Sequence, residues 1–275
     1  MKIAVIVGDH PRNIGLLKKL YENKKVEISS LILFKRENLI PKPNKNLSNN
    51  LKKLWNLHFR KRYIAEKKFF NFKNNFIKKI KNKITVLNEK ELHSRKVIKN
   101  ITSAKPQAAF IAGIPILRDP LLSFMPMNTV NLHLGIIPFY KGAITMFWPF
   151  YFLEPAMAGT TYHLIDKFVD TGEILHNNIP RLSKGDGMHD VACKAVLSAH
   201  SDVHLIEDNI INRVKKKIRP KKDLSLKHKG KLYLKSDWKP EMLKIIYDLF
   251  DDKIVDLYLQ NKIQSKKPKL IKVNR

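Results

Sequence analysis

The sequence contains little cysteine, few acidic residues and no long apolar run. Its single cysteine, Cys193, excludes an internal disulfide and fits a reducing compartment, so we expect a cytoplasmic protein. No apolar stretch reaches the roughly 18 residues of a transmembrane helix, which predicts no membrane span. The start, MKIAVIVGDHPRN, meets Gly8 and Pro11 too early for a secretory signal and is typical of a buried first strand.

Several functional motifs are also absent. Gly8 does not begin a G-x-G-x-x-G dinucleotide site, and neither a G-x-x-x-x-G-K-[ST] phosphate loop nor a G-x-S-x-G elbow occurs. No H-E-x-x-H and no Cys/His cluster with ligand spacing is present, so we predict no metal. Cys193 lies in the helical pattern HDVACKAVLSAH, which favours a small buried residue over a nucleophile.

Acidic residues are scarce relative to basic ones: 24 Asp and Glu stand against 53 Lys and Arg, a net charge of +29. Residues 42–105 hold 19 basic and 3 acidic residues, whereas residues 106–180 hold 3 and 5. The excess is either a surface for a polyanion or an ordinary solvated surface of a lysine-rich protein. The lack of a recognised nucleic-acid motif favours the second interpretation.

Strand patterns alternate with helix patterns along the chain. KIAVIV, VEISSLILF, ITVLN, PQAAFIAGIPIL, MNTVNLHLG, GTTYHLI and GEILHNNIP are typical of strands, with helical spacing between several of them. The alternation predicts an α/β fold with a mostly parallel sheet flanked by helices. In such sheets, ligands bind beyond the carboxyl ends of the strands.

One strand pattern ends in two polar side chains. In VNLHLG, residues 130–135, Asn131 and His133 stand two positions apart, so an extended chain points both to the same face. Taken alone, a turn-capping asparagine and a satisfied core histidine explain this pattern equally well.

A longer ordered set of motifs favours a functional interpretation. NLHLGIIPFYKGAITMFW is followed by GTTYHLIDKFVDTGEIL. The set resembles the folate-dependent formyltransferases, which have Asn-x-His, an L-P-x-Y-[RK]-G loop, T-x-H and an I-D-x-x-x-D-x-G-x-I loop. FIAGIPIL, residues 110–117, is similar to the hydrophobic glycine turn of that family. The resemblance is specific over residues 110–175 and extends as topology over residues 1–205.

The resemblance implies a Rossmann-like formyltransferase fold and three catalytic residues, Asn131, His133 and Asp170. Moving a formyl group to an amine places negative charge on the formyl oxygen, which the Asn131 amide can stabilise by roughly 3 kcal/mol. His133 can donate to that oxygen or relay the amine proton. We expect Asp170 to accept a hydrogen bond from His133, to exchange protons and to have a raised pKa. An ordinary turn aspartate is the alternative for Asp170.

The resemblance also implies binding residues. The formyl donor is N10-formyltetrahydrofolate, held largely by main chain at Ile111, Ala112, Gly113, Ile114, Pro115, Asp166 and Val169. Substrate contacts are expected from Tyr140, Lys141, Gly142 and His163, although a loop lysine is commonly only a surface residue and His163 more often a supporting one.

The domain organisation and the acceptor follow from the same comparison. We predict a formyltransferase catalytic domain over residues 1–210, with a basic helical insertion at about 47–82, and a basic linker with a short helical C-terminal extension over residues 211–275. AITMFWPFYFL predicts an apolar helix over 143–153, and KPEMLKIIYDLFDDKIVDLYLQN predicts one helix over 239–261. The insertion is interpreted as a lid, a dimer contact or a substrate wall, and a homodimer stays open.

Three acceptors are typical of the family. An extension this short does not fit the β-barrel of the tRNA enzymes, and the shorter purine enzyme lacks the insertion. Leu134-Gly135 after the histidine, Lys141 and the insertion resemble a branch linked to surface-polysaccharide synthesis. The leading prediction is therefore an N-formyltransferase acting on a nucleotide-linked amino sugar. The alternatives are a methionyl-tRNA formyltransferase-like enzyme, favoured by the net charge, and a catalytically silent basic protein that binds nucleic acid.

Overall fold

The computed structural model describes residues 1–35, 39–70, 75–221, 223 and 225–273. Within these ranges, strands and helices alternate as predicted. The strands are β1 (Lys2–Gly8), β2 (Glu27–Phe34), β3 (Thr85–Leu87), β4 (Ala108–Ala112), β5 (Thr129–His133), β6 (Tyr140–Gly142), β7 (Thr160–Leu164), β8 (Ile174–Asn178) and β9 (Lys231–Tyr233). The helices are α1 (Pro11–Glu22), α2 (Asn49–Phe69), α3 (Asn75–Lys79), α4 (Arg95–Ala104), α5 (Leu121–Phe124), α6 (Trp148–Tyr151), α7 (Met188–Lys215), α8 (Ser225–His228) and α9 (Ile254–Leu259).

Seven strands form one sheet in the order β3-β2-β1-β4-β5-β7-β8. The pairings from β3 through β5 are parallel, whereas β7 runs antiparallel to both β5 and β8. The predicted α/β fold with a mostly parallel sheet is therefore confirmed. β6 and β9 pair with each other, in parallel, outside this sheet.

The central strands are apolar on both faces because helices cover both faces. On one face, Val5 and Val130 belong to a buried cluster that includes residues of α1 and α7. On the other face, Ile6 and Ile111 pack with Val97 of α4. The carboxyl edge of the sheet, where β4 and β5 end, thus lies between two helical layers.

The range 47–82, interpreted from the sequence as an insertion, contains the helices α2 and α3. Residues 71–74 of that range lie outside the described residues. Ala65 of α2 packs with Cys193 and Val196 of α7 in one buried cluster. The insertion is therefore attached to the body of the protein at the start of α7.

The C-terminal extension is also packed on the body. Tyr233 and Leu243 share a buried cluster with Trp148 and with Leu54 of α2. The predicted boundary between residues 210 and 211 falls within α7, and the division into two parts stays a prediction.

The end of the described chain follows the outer edge of the sheet. The Asn177 N–H of β8 donates to the Ile271 carbonyl at 2.8 Å, and the Ile271 N–H donates to Asn177 Oδ1 at 2.9 Å. The Val273 N–H donates to His176 Nδ1 at 3.1 Å. This segment therefore covers the edge of β8.

Two predicted helices are shorter than the pattern suggests. In the range 143–153 only α6 is α-helical, and Ile144 and Leu153 on either side have positive φ values of 57° and 56°. In the range 239–261, α9 follows Asp251 and Asp252, whose φ values are 48° and 58°. Left-handed residues end a right-handed helix, so both continuous-helix predictions are wrong in extent.

No helix in the described ranges combines the length and the apolar character needed to cross a membrane.

Candidate active site

Asn131 and His133 lie on one face at the carboxyl end of β5. Asn131 pairs with Ile111 of β4 on one side and with His163 of β7 on the other, and His133 pairs with Thr161. Directly paired residues share a face of a sheet. The strand register therefore places two imidazoles and an amide on the same surface, as the spacing of VNLHLG predicts.

The hydrogen bonds of His133 orient its ring. Its Nε2–H donates to the Tyr140 carbonyl at 2.8 Å, and a carbonyl can only accept. The neutral ring therefore carries its proton on Nε2. Nδ1 is left facing Asp170, with Oδ2 at 3.3 Å.

His163 is oriented in a similar way. Its Nδ1–H donates to the Leu164 carbonyl at 2.9 Å, which leaves Nε2 as an acceptor. Asn131 Nδ2–H donates to that Nε2 at 3.0 Å. Because a primary amide has two N–H groups, His163 fixes the Asn131 side chain and leaves its second N–H for another acceptor.

Asp170 comes from the loop after β7 and joins the other three residues. Its Oδ2 accepts the Gly142 N–H at 2.7 Å, and its Oδ1 lies 3.4 Å from His163 Nε2. Its φ of 53° lies in the left-handed region, which aspartate tolerates better than most residues. The structure thus brings Asn131, His133, His163 and Asp170 together.

The pKa of Asp170 shifts in the opposite direction from the one predicted from the sequence. Burial alone would raise the pKa of Asp170, but the positive charge that the facing His133 and His163 rings can take up, together with the Gly142 N–H, outweighs burial and lowers the pKa. The prediction of a raised pKa is therefore wrong, because the groups that lower it come from β5, β6 and β7, outside the loop that carries Asp170. Burial also lowers the pKa of His133, against the opposing effect of Asp170, so this imidazole is neutral near pH 7.

The four side chains line one cavity of about 810 Å³ at the carboxyl edge of the sheet. On the α4 side its wall includes most of the predicted folate residues, namely Ile111, Gly113, Ile114, Pro115, Asp166 and Val169. Ala112 is buried in β4 instead. Asp166 Oδ1 accepts from the Phe168 N–H at 2.9 Å and from Thr171 Oγ1 at 2.8 Å, which shapes the loop that carries Asp170.

Only two of the four predicted substrate residues line the cavity. Gly142 and His163 line the cavity. The Tyr140 hydroxyl donates to Glu154 Oε2 at 2.8 Å, and Lys141 Nζ donates to the Leu226 carbonyl at 2.9 Å. Among the described residues that line the cavity, neither Tyr140 nor Lys141 occurs. Substrate contacts from these two side chains stay a prediction.

The opposite wall was not foreseen from the sequence. It is formed by side chains of α2, α7 and β9, including His58, Arg62, Glu66, His189, Cys193 and Tyr233. The aromatic and basic spacing of the insertion predicted a helix but not where that helix packs. Side chains of α2 line the cavity, and the choice among a lid, a dimer contact and a substrate wall stays a prediction.

Glu66 organises the polar part of this wall. Its Oε2 lies 3.0 Å from His10 Nε2, and its Oε1 lies 3.3 Å from Arg12 Nη1. Burial opposes ionisation of Glu66, but the His10 hydrogen bond and the two nearby guanidinium groups lower its pKa. Cys193 is part of the same wall, and burial raises the pKa of its thiol to about 12, so it is a poor nucleophile.

The arrangement suits group transfer at a carbonyl. It offers an amide N–H for a developing oxyanion, a neutral imidazole with a free nitrogen, and a fixed carboxylate beside that imidazole. Among the residues that the structure describes, no group of three or more His, Cys, Asp or Glu side chains could hold a metal ion.

Comparison with known proteins identifies the family of the chain. A family model described as formyl transferase matches residues 1–203. A methionyl-tRNA formyltransferase from Desulforamulus reducens is 24% identical over 137 residues, which is 48% of this chain and 43% of that protein. The aligned part thus spans less than half of that relative.

Two solved structures share the fold. A sugar N-formyltransferase from a Shewanella species superposes with a TM-score of 0.53 and 17% identity, covering 86% of this chain and 78% of that one. A phosphoribosylglycinamide formyltransferase from Anaplasma phagocytophilum gives a TM-score of 0.52 and 17% identity, covering 76% and 88%.

Proposed function

This chain belongs to the formyl transferase family, and from that premise we propose that it transfers a formyl group from N10-formyltetrahydrofolate to the primary amine of a nucleotide-linked amino sugar. The observation that carries the proposal is the convergence of Asn131, His133 and Asp170 on one cavity. A role in surface-polysaccharide synthesis and a cytoplasmic setting are parts of the proposal.

The cavity residues fit a folate. The wall on the α4 side combines apolar side chains, Ile111, Ile114 and Leu122, with exposed main chain around Gly113. A flat heteroaromatic ring with a hydrogen-bonding edge suits a surface of this kind. When bound, the folate supplies the activated formyl group, and the rest of the chemistry falls to the side chains at the end of β5.

Asn131 and His133 divide the work on the reacting atoms. The Asn131 N–H that is not donated to His163 stabilises the negative charge that develops on the formyl oxygen. His133 Nδ1 accepts the proton that the amine loses as its nitrogen bonds to the formyl carbon. That proton is then available to the folate nitrogen as the old carbon–nitrogen bond breaks.

Asp170 acts as a fixed charge. Its lowered pKa keeps it ionised while His133 carries the extra proton, and its Oδ2 lies 3.3 Å from that ring. An opposite charge at this distance stabilises the imidazolium. Asp170 is therefore proposed to stabilise charge and not to exchange protons itself.

The amino-sugar acceptor is supported by the shared fold of a sugar N-formyltransferase from a Shewanella species, which superposes over 86% of this chain. A methionyl-tRNA acceptor is the second candidate, and the net charge of +29 favours it, because a basic surface attracts nucleic acid.

Incubation with N10-formyltetrahydrofolate and a panel of dTDP-, UDP- and GDP-linked amino sugars tests the proposal. We expect release of tetrahydrofolate together with a new formamide signal by NMR, both abolished in His133→Ala. Formylation of charged initiator tRNA alone would establish the second candidate. Salt-dependent nucleic-acid binding without any formyl transfer would identify a catalytically silent protein instead.

A further inference from the structure

One short segment holds both members of the catalytic pair. The Tyr140 carbonyl accepts the Nε2–H of His133 at 2.8 Å, and the Gly142 N–H donates to Asp170 Oδ2 at 2.7 Å. These two bonds come from the ends of β6, a three-residue strand outside the main sheet. A displacement of β6 would therefore disturb the imidazole and the carboxylate together.

β6 is held in turn by the C-terminal extension. β9 pairs with it in the register Tyr140↔Lys231 to Gly142↔Tyr233. The Ala143 N–H donates to the Tyr233 carbonyl at 2.8 Å. The Tyr233 ring stacks on Trp148 with the ring centroids 4.5 Å apart and the planes 21° apart. All of these extension residues lie beyond the part of the chain that the family model matches.

Lys141 adds a second connection between the two segments. Its ammonium donates to the Leu226 carbonyl at 2.9 Å, and the side chain is only 3% exposed. Burying an ammonium is costly unless it is both paired with an opposite charge and hydrogen-bonded, and the Asp170 carboxylate acts on the Lys141 charge. The Lys141 ammonium therefore connects the middle residue of β6 to Leu226 of the C-terminal extension.

A close backbone approach completes the contact. Gly230, which precedes β9, has a φ of 67°, and a Cβ at this position would clash with the Pro138 carbonyl. Only glycine combines that φ with that proximity. The chain just before β6 and the chain just before β9 therefore pack with their backbones in contact.

We propose that residues 225–235, which we name the positioning segment, set the orientation of His133 and Asp170 through β6, and that Lys141 is the positioning residue that links the two. The catalytic consequence rests on the proposed formyl transfer. The structural claim does not, because the orientation of the His133 ring can be observed without substrate.

Two changes disturb the link by different means. Lys141→Met removes the ammonium and keeps most of the side-chain volume, and Lys141→Arg restores a donor. Gly230→Ala pushes on the Pro138 carbonyl. Gly185→Ala is the matched control, because Gly185 also has a positive φ, 82°, but a Cβ there meets nothing within 4 Å. All variants are made in the full chain.

The first readout is the tautomer of His133, measured from ring nitrogen chemical shifts by NMR and assigned with His133→Gln. In the parent protein and in Gly185→Ala we expect the Nε2–H tautomer. In Lys141→Met and Gly230→Ala we expect a loss of that tautomer, restored in Lys141→Arg. The second readout is formyl transfer, where kcat should fall about tenfold or more, since a misplacement near 1 Å can cost about 100-fold.

The outcomes separate the two proposals. An unchanged His133 tautomer in both folded variants overturns the positioning role, whatever the activity. An increase in the KM for the acceptor with unchanged kcat and tautomer in Lys141→Met would instead make Lys141 a substrate ligand. Absence of formyl transfer by the parent protein would count against the proposed function, and the tautomer would still decide the role of the positioning segment.

Discussion

His133 and Asp170 face each other across 3.3 Å, although one ends β5 and the other lies in the loop after β7. Their side chains are only 7% and 9% exposed. A carboxylate buried between two imidazoles and a backbone N–H has a lowered pKa, so Asp170 holds a constant negative charge near neutral pH. The pair therefore combines one group that can change its charge with one that does not.

Asp170→Asn should reduce kcat by about 10²–10⁴ and also lower the thermal stability, because the folded state stabilises the ionised carboxylate. The amide has the same shape but no charge, so it cannot stabilise the protonated His133 ring. Because Asp170 raises the pKa of His133 against the effect of burial, the substitution should also lower that pKa further. Tetrahydrofolate release, thermal unfolding and an NMR titration of His133 measure the three effects. A variant with parental kcat would exclude an electrostatic role for Asp170.

Gly172→Ala should distort the loop that carries Asp170. A Cβ on Gly172 would overlap the Leu164 carbonyl, and this carbonyl already accepts the Nδ1–H of His163. We expect a loss of about 1–3 kcal/mol in the free energy of unfolding, together with reduced activity. Urea denaturation measures the first effect, with Gly185→Ala as the control. Parental stability would show that the loop can move without cost.

Acidification should destabilise the fold from about pH 6.5 downwards. Burial lowers the pKa of His58 to about 3 and that of His200 to about 4. Below the unfolded-state pKa of about 6.5, the unfolded chain binds protons that the folded chain does not, so the stability these neutral rings confer at higher pH is lost. Each ring contributes about 1.4 kcal/mol per pH unit between its two pKa values.

His200→Leu isolates one of these groups. Denaturation at pH 7.5 and pH 5.5 should show a smaller loss of stability in the variant than in the parent protein. Proton uptake on unfolding near pH 5.5 should fall by about one proton. An identical pH dependence in both proteins would mean that His200 is not the group that resists protonation.

Glu207→Gln should stabilise the protein at pH 8 and have little effect at pH 5. Burial raises the pKa of Glu207 to about 7, with the Asn23 hydrogen bond opposing. The folded state therefore holds a proton that the unfolded state releases above about pH 4.5, and stability is lost as pH rises through 7. We expect a gain on the order of 1 kcal/mol at pH 8, measured as a shift in Tm. A gain of equal size at pH 5 would contradict this explanation.

The sequence predicts the seven strands of the main sheet and its mostly parallel character well. VNLHLG places Asn131 and His133 on one face because side chains in a strand alternate, and this rule needs no tertiary information. The resemblance of the motif IDKFVDTG to the formyltransferase loop implies that Asp170 belongs with them. Apolar runs such as KIAVIV predict buried central strands for the same local reason.

Features that depend on contacts between separate segments of the chain are not predicted from the sequence. The direction of the Asp170 pKa is set by His133, His163 and Gly142, none of which is adjacent in the chain. β6 and β9 pair over only three residues each. A segment this short shows no alternation of polar and apolar residues from which a strand could be recognised. The place of α2 in the cavity wall follows from its packing on α7, which helical spacing does not determine.

The strap formed by residues 271–273 limits how copies of the protein can associate. The unpaired backbone N–H and C=O groups of an edge strand can bind another strand, and proteins commonly cover such edges to prevent this. Here Asn177 and His176 already bond to Ile271 and Val273. Two molecules could pair through β8 into one continuous sheet only after residues 271–273 had dissociated from this strand. Self-association that leaves residues 271–273 bound must therefore use a different face.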